Sequence, residues 1–276
     1  MRIRATLLIA AREVRASVRG RWFVVGAVSL ALLATATAQL GMAGAGRWGV
    51  SALDRTSTAL LNLVLLFVPL LTLPLGAGSF SGEAEAGTLA YLVAQPVTRA
   101  EVFGGKLLGL LVTTTLTIAF GFGTAAAAVG LSGGVPTWTF ASLVGGAWLL
   151  GLVTAVLGAL ISIGARTRVR ALAWAVATWI ALVFLCDFGV LALAASQALG
   201  PDALFVVAVA NPVQAVKTLC ALAISERLEV LGPGGVYAVR QLGRGGLAAL
   251  LGASTVVWMV SASAAAFALF RRESLS

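Results

Sequence analysis

The chain is 276 residues long, 60% hydrophobic and only 11% charged, with a formal net charge of +9 and no histidine. Soluble domains carry about 25% charged residues, so this composition excludes an ordinary soluble fold and predicts an all-α integral membrane protein. Nucleic-acid binding is excluded with it, because the arginines flank apolar runs instead of forming a basic soluble surface.

Residues 1–21 hold six arginines. Ile3, Leu7, Ala11, Val14 and Val18 fall within about 80° on one helical face, with Arg12, Glu13, Arg15 and Arg19 outside it. The pattern predicts an amphipathic interfacial helix over 3–20 whose arginines reach lipid phosphates. The alternatives are a disordered basic tail and a cleavable signal ending near Ala36-Thr37-Ala38. The long basic stretch favours an uncleaved first membrane span at 22–44.

A short loop with Arg47, Asp54 and Arg55 leads to span 2 at 57–80, where Pro69 and Pro74 predict a kink that neighbouring helices compensate. The polar stretch Ser81 to Lys106 then interrupts the apolar pattern. It predicts a surface helix over 82–94 with Glu83 and Glu85 in its first turn, where acids suit the positive helix end. Gln95-Pro96 stops that helix, and the capping box Thr98-Arg99-Ala100-Glu101 starts the next. Surface helix, proline corner and capped helix could form a lever feeding span 3, or an ordinary loop; the residues by themselves leave both open.

Span 3 covers 107–131, an uncharged turn 132–136, span 4 137–163 and span 5 171–197. Span 4 carries small residues at four-residue spacing, Gly151, Ala155 and Ala159 beside Thr154, Gly158 and Ser162, which permits close helix packing. Asp187 is the one acid within a span, and reads either as part of a polar path or inter-subunit contact, or as a hydrated residue in the outer half. The loop 198–246 contains apolar runs at 203–210 and 213–224, too short to span, with Asn211-Pro212 as a helix start and Leu231-Gly232-Pro233-Gly234-Gly235 as a second break. Two short helices on the outer leaflet fit better than a featureless connector. Span 6 covers 247–270.

With both termini cytoplasmic, 13 of the 19 lysines and arginines fall in the inner segments, and Arg166, Arg168 and Arg170 give the clearest local bias. Catalytic constellations are missing: no histidine supports a Ser-His pair, the carboxylates are scattered, and Gly104-Gly105-Lys106 lacks the first half of a phosphate loop. The two cysteines, Cys186 and Cys220, have no metal-ligand spacing. If ATP drives this protein, another chain binds it with its magnesium, and no cofactor or metal is expected on this one.

Glu85-Ala86-Gly87-Thr88-Leu89, Pro96-Val97-Thr98-Arg99 and Gly105-Lys106, in this order and spacing, resemble the signature of the ABC-2 type permease family. The resemblance extends to the interfacial helix, six spans and helical outer loop. It implies one transmembrane domain over 1–276 in a bacterial inner membrane, a homodimer bound to two cytoplasmic ABC ATPase subunits, and the segment after span 2 as coupling helix. It implies ATPase coupling for Glu83, Glu85, Gly87, Thr88, Leu89, Leu92, Pro96, Thr98, Arg99, Glu101 and Lys106.

Asn211 to Val216, Val230 to Ala238 and Ala165 to Arg170 are further similar to permeases of the nitrous-oxide reductase maturation system (NosY type). That likeness implies a periplasmic copper-handling partner, with Asn211, Pro212, Leu231, Gly232, Pro233 and Tyr237 as contacts. The shortage of His, Cys and Met fits a permease whose partner holds the metal. The other readings are an ABC-2 exporter of a lipid, drug or other small molecule, and a membrane anchor without energy coupling.

Overall fold

The computed structural model describes residues 3–43, 52–88, 97–131, 137–165, 167–185, 188–189, 192, 200–224 and 232–272. Those residues are helical throughout apart from turns and caps. The elements are α1 (Ile3–Val18), α2 (Arg21–Ala43), α3 (Ala52–Glu85), α4 (Arg99–Leu131), α5 (Thr137–Ala165) and α6 (Arg168–Ile180), continued by a π-turn at Ala181–Leu185. They are followed by α7 (Pro201–Ala210), α8 (Pro212–Ile224) and α9 (Gly232–Arg272). Five of these, α3, α4, α5, α6 with its π-turn, and α9, are long and apolar enough to cross a membrane. The α1–α2 pair, bent by 65°, is so when taken together.

The apolar face predicted on the first helix is exposed, Ile3 at 73% and Leu7 at 57%. A different face, Thr6 and Ala10, is buried. It lies in a notch on α4 made by Gly105 and Gly109, where added Cβ atoms would come within 2.7 Å of Ile9 and 2.5 Å of Glu13. Exposed apolar side chains and a protein-facing row of small ones therefore share the helix.

The bundle is organised about α3 against α5. Thr72 and Thr154 share a hydrogen bond at 2.6 Å, and Gly76 meets Gly158 with their backbones in contact. Both rows of small residues on α5 are buried: Thr154, Gly158 and Ser162 face α3, and Gly151 faces Ile118 and Thr114 of α4. Close approach of this kind replaces side-chain interdigitation where lipid offers no hydrophobic drive between helices. Pro69 and Pro74 lie inside α3. They leave the Leu65 and Leu70 carbonyls without helical donors. At the adjacent residues, Trp179 donates to the Leu66 carbonyl at 3.0 Å and Trp22 to that of Leu71 at 3.2 Å, which ties α6 and α2 to the proline-containing stretch.

Two expectations are corrected. Residues 82–85 do not begin a separate surface helix; α3 runs unbroken through Glu85, so Glu83 and Glu85 stand in its last turn. The Gly232–Gly235 stretch does not break the chain but forms the first turn of α9, whose bend comes later at Gly243, with φ 69° and ψ 168°. Proline is tolerated in a first helical turn, whereas a left-handed φ in mid-helix requires glycine. Two short helices are present in the 198–246 stretch as α7 and α8. α7 is clamped to α9 by Trp258, which donates to the Ala210 carbonyl at 3.0 Å, and Ser254, which donates to the Val209 carbonyl at 2.7 Å, and α8 by Arg244, which donates to the Leu222 carbonyl at 2.8 Å.

Candidate functional site

The chemistry of the molecule gathers at one end of the bundle, where α1, α3, α4, α6 and α9 bring charged residues together. Lys106, about two turns into α4, is only 1% exposed. Its ammonium meets the Glu13 carboxylate at 2.7 Å and that of Glu83 at 3.0 Å, and lies 5.2 Å from the Phe80 ring centroid. Arg12 completes the cluster, 3.3 Å from the other oxygen of Glu83. Burying one ammonium between two carboxylates offsets its desolvation, which a single surface pair does not need to do.

Glu83 lies at the negative end of α3, where an acid is unfavourable, and Lys106 and Arg12 reverse that penalty. For Glu13, burial pushes the carboxyl above its ordinary value, and Lys106 opposes the shift only in part. With the folded-state value raised, the native form holds this proton more tightly than the unfolded chain. That contribution to stability is full below the unfolded value and disappears as pH rises through the folded one.

Glu85 accepts the backbone N–H of Arg168 at 2.9 Å, in place of the cap that Thr167 does not provide to α6. A carboxylate at that position favours the positive helix end. Past Glu85 the chain turns at Gly87, whose φ of +71° favours glycine, and Thr88 donates to the Glu83 carbonyl at 3.3 Å. An added Cβ at Gly87 would touch nothing within 4 Å. Gly87→Ala is therefore expected to cost about 1–2 kcal/mol through backbone strain alone, readable as a lowered thermal midpoint of the purified chain in detergent.

The capping box on α4 has the predicted geometry. Thr98 N–H donates to the Glu101 carboxylate at 2.9 Å, and Glu101 N–H to the Thr98 hydroxyl at 3.3 Å. Arg99 reaches the far end of the chain, donating to the Phe270 and Arg271 carbonyls at 3.2 and 3.1 Å, and so caps the C-terminus of α9. Beside it Phe80, Phe103, Phe267 and Phe270 pack with ring centroids 5.3–5.9 Å apart, a spacing favourable for aromatic pairs.

The structure thus brings together Glu83, Glu85, Thr98, Arg99, Glu101 and Lys106. Leu89, Leu92 and Pro96 lie outside the described residues, as do Leu231 and Asp187. Arg12 and Glu13 were missed by the sequence reading, which assigned them only to the polar side of an interfacial helix. The signal was the Gly105-x3-Gly109 spacing around Lys106, which marks a helix packed closely enough for a short acid to reach the lysine.

At the opposite end, Asn211 and Pro212 are corrected as surface contacts, because both are buried. Asn211 accepts from Val213 N–H at 2.9 Å and donates to the Leu182 carbonyl at 2.8 Å, so it caps α8 and ties it to the π-turn after α6. At 4% exposure, Asn211 presents almost no surface to a partner. Gly232 and Pro233 lie in the first turn of α9, and Tyr237 is 37% exposed.

The sequence profile for "ABC-2 family transporter protein" matches residues 7–275. Two similar proteins share the name "Probable ABC transporter permease protein NosY". That of Stutzerimonas stutzeri is 30% identical over 190 residues, 67% of this chain and 69% of its own length. That of Pseudomonas aeruginosa is 31% identical over 190 residues, with the same coverage.

Proposed function

The chain belongs to the ABC-2 family of transporter proteins, as a permease subunit, and on that premise we propose that it couples cytoplasmic ATP hydrolysis to a periplasmic copper-handling partner in nitrous-oxide reductase maturation. The hydrolysis takes place on two separate ATPase subunits with their ATP and magnesium. The chain works as a homodimer in a bacterial inner membrane with both termini cytoplasmic.

The observation supporting this reading is the anchorage of the segment between α3 and α4. Its first end is tied to α1 and α4 through Glu83 and to α6 through Glu85; its second end is tied to α9 through Arg99. Movement imposed on residues 82–106 therefore reaches five helices at once. A simple loop between two spans would have no reason to bracket the ends of α6 and α9 and to grip α1 as well. Exposed Tyr237 and the short helices α7 and α8, held against α9, supply the outer face on which the partner acts.

Affinity purification of the intact chain from its native membranes is expected to bring an ATPase subunit and a soluble periplasmic protein with it. Leu92→Arg is expected to release the ATPase while the permease remains in the membrane. Recovery of the chain with no ATPase would overturn the coupling reading and leave an anchor. A second reading, export of an amphiphile, is favoured by a cleft of about 360 Å³ lined by Glu13, Glu83, Arg168, Trp22, Phe23 and Leu75. It requires that a lipid or drug accelerate ATP hydrolysis by the complex.

A further inference from the structure

The stretch of α3 from Pro74 to Gly82, Pro-Leu-Gly-Ala-Gly-Ser-Phe-Ser-Gly, is the weakest helix former in that element. Pro74 removes a backbone donor, and three glycines raise the entropic cost of holding the helix. Ser79 and Ser81 bond back to the Gly76 and Ala77 carbonyls at 2.7 and 2.6 Å, a pattern that loosens and bends helices. Directly beyond it stand Glu83 and Glu85, the two acids that anchor the coupling segment. A soft joint immediately before a loaded end needs an external brace.

That brace comes from α5. The hydroxyl of Ser162, 1% exposed, accepts the N–H groups of Phe80 and Ser81 at 3.0 and 2.8 Å and donates to the Ala77 carbonyl at 2.6 Å. Ser81 N–H and Ala77 C=O are the two halves of one helical rung, so this side chain from another helix is bonded to both sides of it. Insertion of a foreign group at such a rung is a recognised cause of helix bending. All the donor and acceptor capacity of a serine hydroxyl is committed to α3. Immediately outward, Gly76 against Gly158 forbids sliding, since a Cβ on either would land on backbone of the other helix.

We propose that Ser162 is a positioning residue that sets the pitch of the last two turns of α3 at a hinge spanning Pro74 to Gly82. It makes α3 and α5 one lever carrying Glu83 and Glu85. Only the consequence for energy coupling rests on the function proposed above; the hinge and its brace stand on the hydrogen bonds.

Backbone hydrogen–deuterium exchange on the full chain in lipid nanodiscs, without any ATPase, separates the two. Ser162→Ala is expected to speed exchange of the peptide covering 79–85 about tenfold, as the loss of roughly one net hydrogen bond implies. Protection over 59–73 and the thermal midpoint stay near the parent values. Ser162→Thr, which keeps the hydroxyl, restores protection. Ser81→Ala removes the other hydroxyl on the Ala77 carbonyl, a loosening back-bond, but no contact with α5, and does not speed exchange. Unaltered exchange in Ser162→Ala, or acceleration spread evenly along α3, overturns the proposal. Failure to recover an ATPase would instead sink the coupling reading and leave the hinge intact.

Discussion

Lys106→Met is expected to lower the stability of the chain by about 3–5 kcal/mol, the cost of removing one member of a buried ion group. The methionine fills nearly the same space, so packing on Phe80 survives while Glu13 and Glu83 lose their shared cation. Two carboxylates are then held near one another with only Arg12, itself half exposed, to balance them. Thermal unfolding in detergent, followed by intrinsic tryptophan fluorescence, measures the loss. Adding Glu13→Gln and Glu83→Gln to Lys106→Met is expected to return most of it, because no uncompensated buried charge remains. Glu13→Gln alone should cost less than the lysine variant, since burial of the Glu13 carboxylate is itself unfavourable and Glu83 still faces Lys106. If the single lysine variant melts with the parent protein, the cluster does not hold the charged end together.

Gly76→Ala is expected to prevent stable folding, a loss beyond the 1–3 kcal/mol of ordinary overpacking. The added methyl would fall on the Ala155 carbonyl oxygen and within 3.0 Å of the Gly158 Cα. Backbone on an opposing helix cannot swing aside as a side chain can, so α3 and α5 would have to separate along the whole of their contact. Gly78→Ala, two residues on, meets nothing within 4 Å. It should be neutral or stabilising by up to about 1 kcal/mol through helix propensity. The pair is compared by yield of monodisperse protein after extraction and by melting temperature. Equal behaviour of the two variants would show that the close α3–α5 approach is not required.

Much of the architecture could be read from residue order. The apolar runs located α2 through α6 and α9, because burial in lipid demands long uninterrupted apolar stretches whatever their neighbours do. Thr98 and Glu101 announced the start of α4, and Asn211-Pro212 that of α8, since capping is chemistry between residues two or three apart. The termination of α3 was misjudged for the same reason of range. Acids near a polar boundary suit a helix start, and only the distant Lys106, Arg12 and Arg168 explain why they end one here.

The sequence by itself determined an all-helical membrane chain, a polar segment set between two apolar helices, and its likeness to a coupling motif. Those features depend on composition and local spacing, which a linear chain displays in full. Tertiary structure decided what the segment is attached to. Glu13 with Lys106, Arg99 with the α9 carbonyls, and Ser162 with the α3 backbone join residues 93, 171 and 81 or more positions apart. Each depends on two helices approaching closely at glycines or other small residues, so that one short side chain reaches a partner and water does not. Such distances are fixed by packing in three dimensions, and no local pattern encodes which pair will meet.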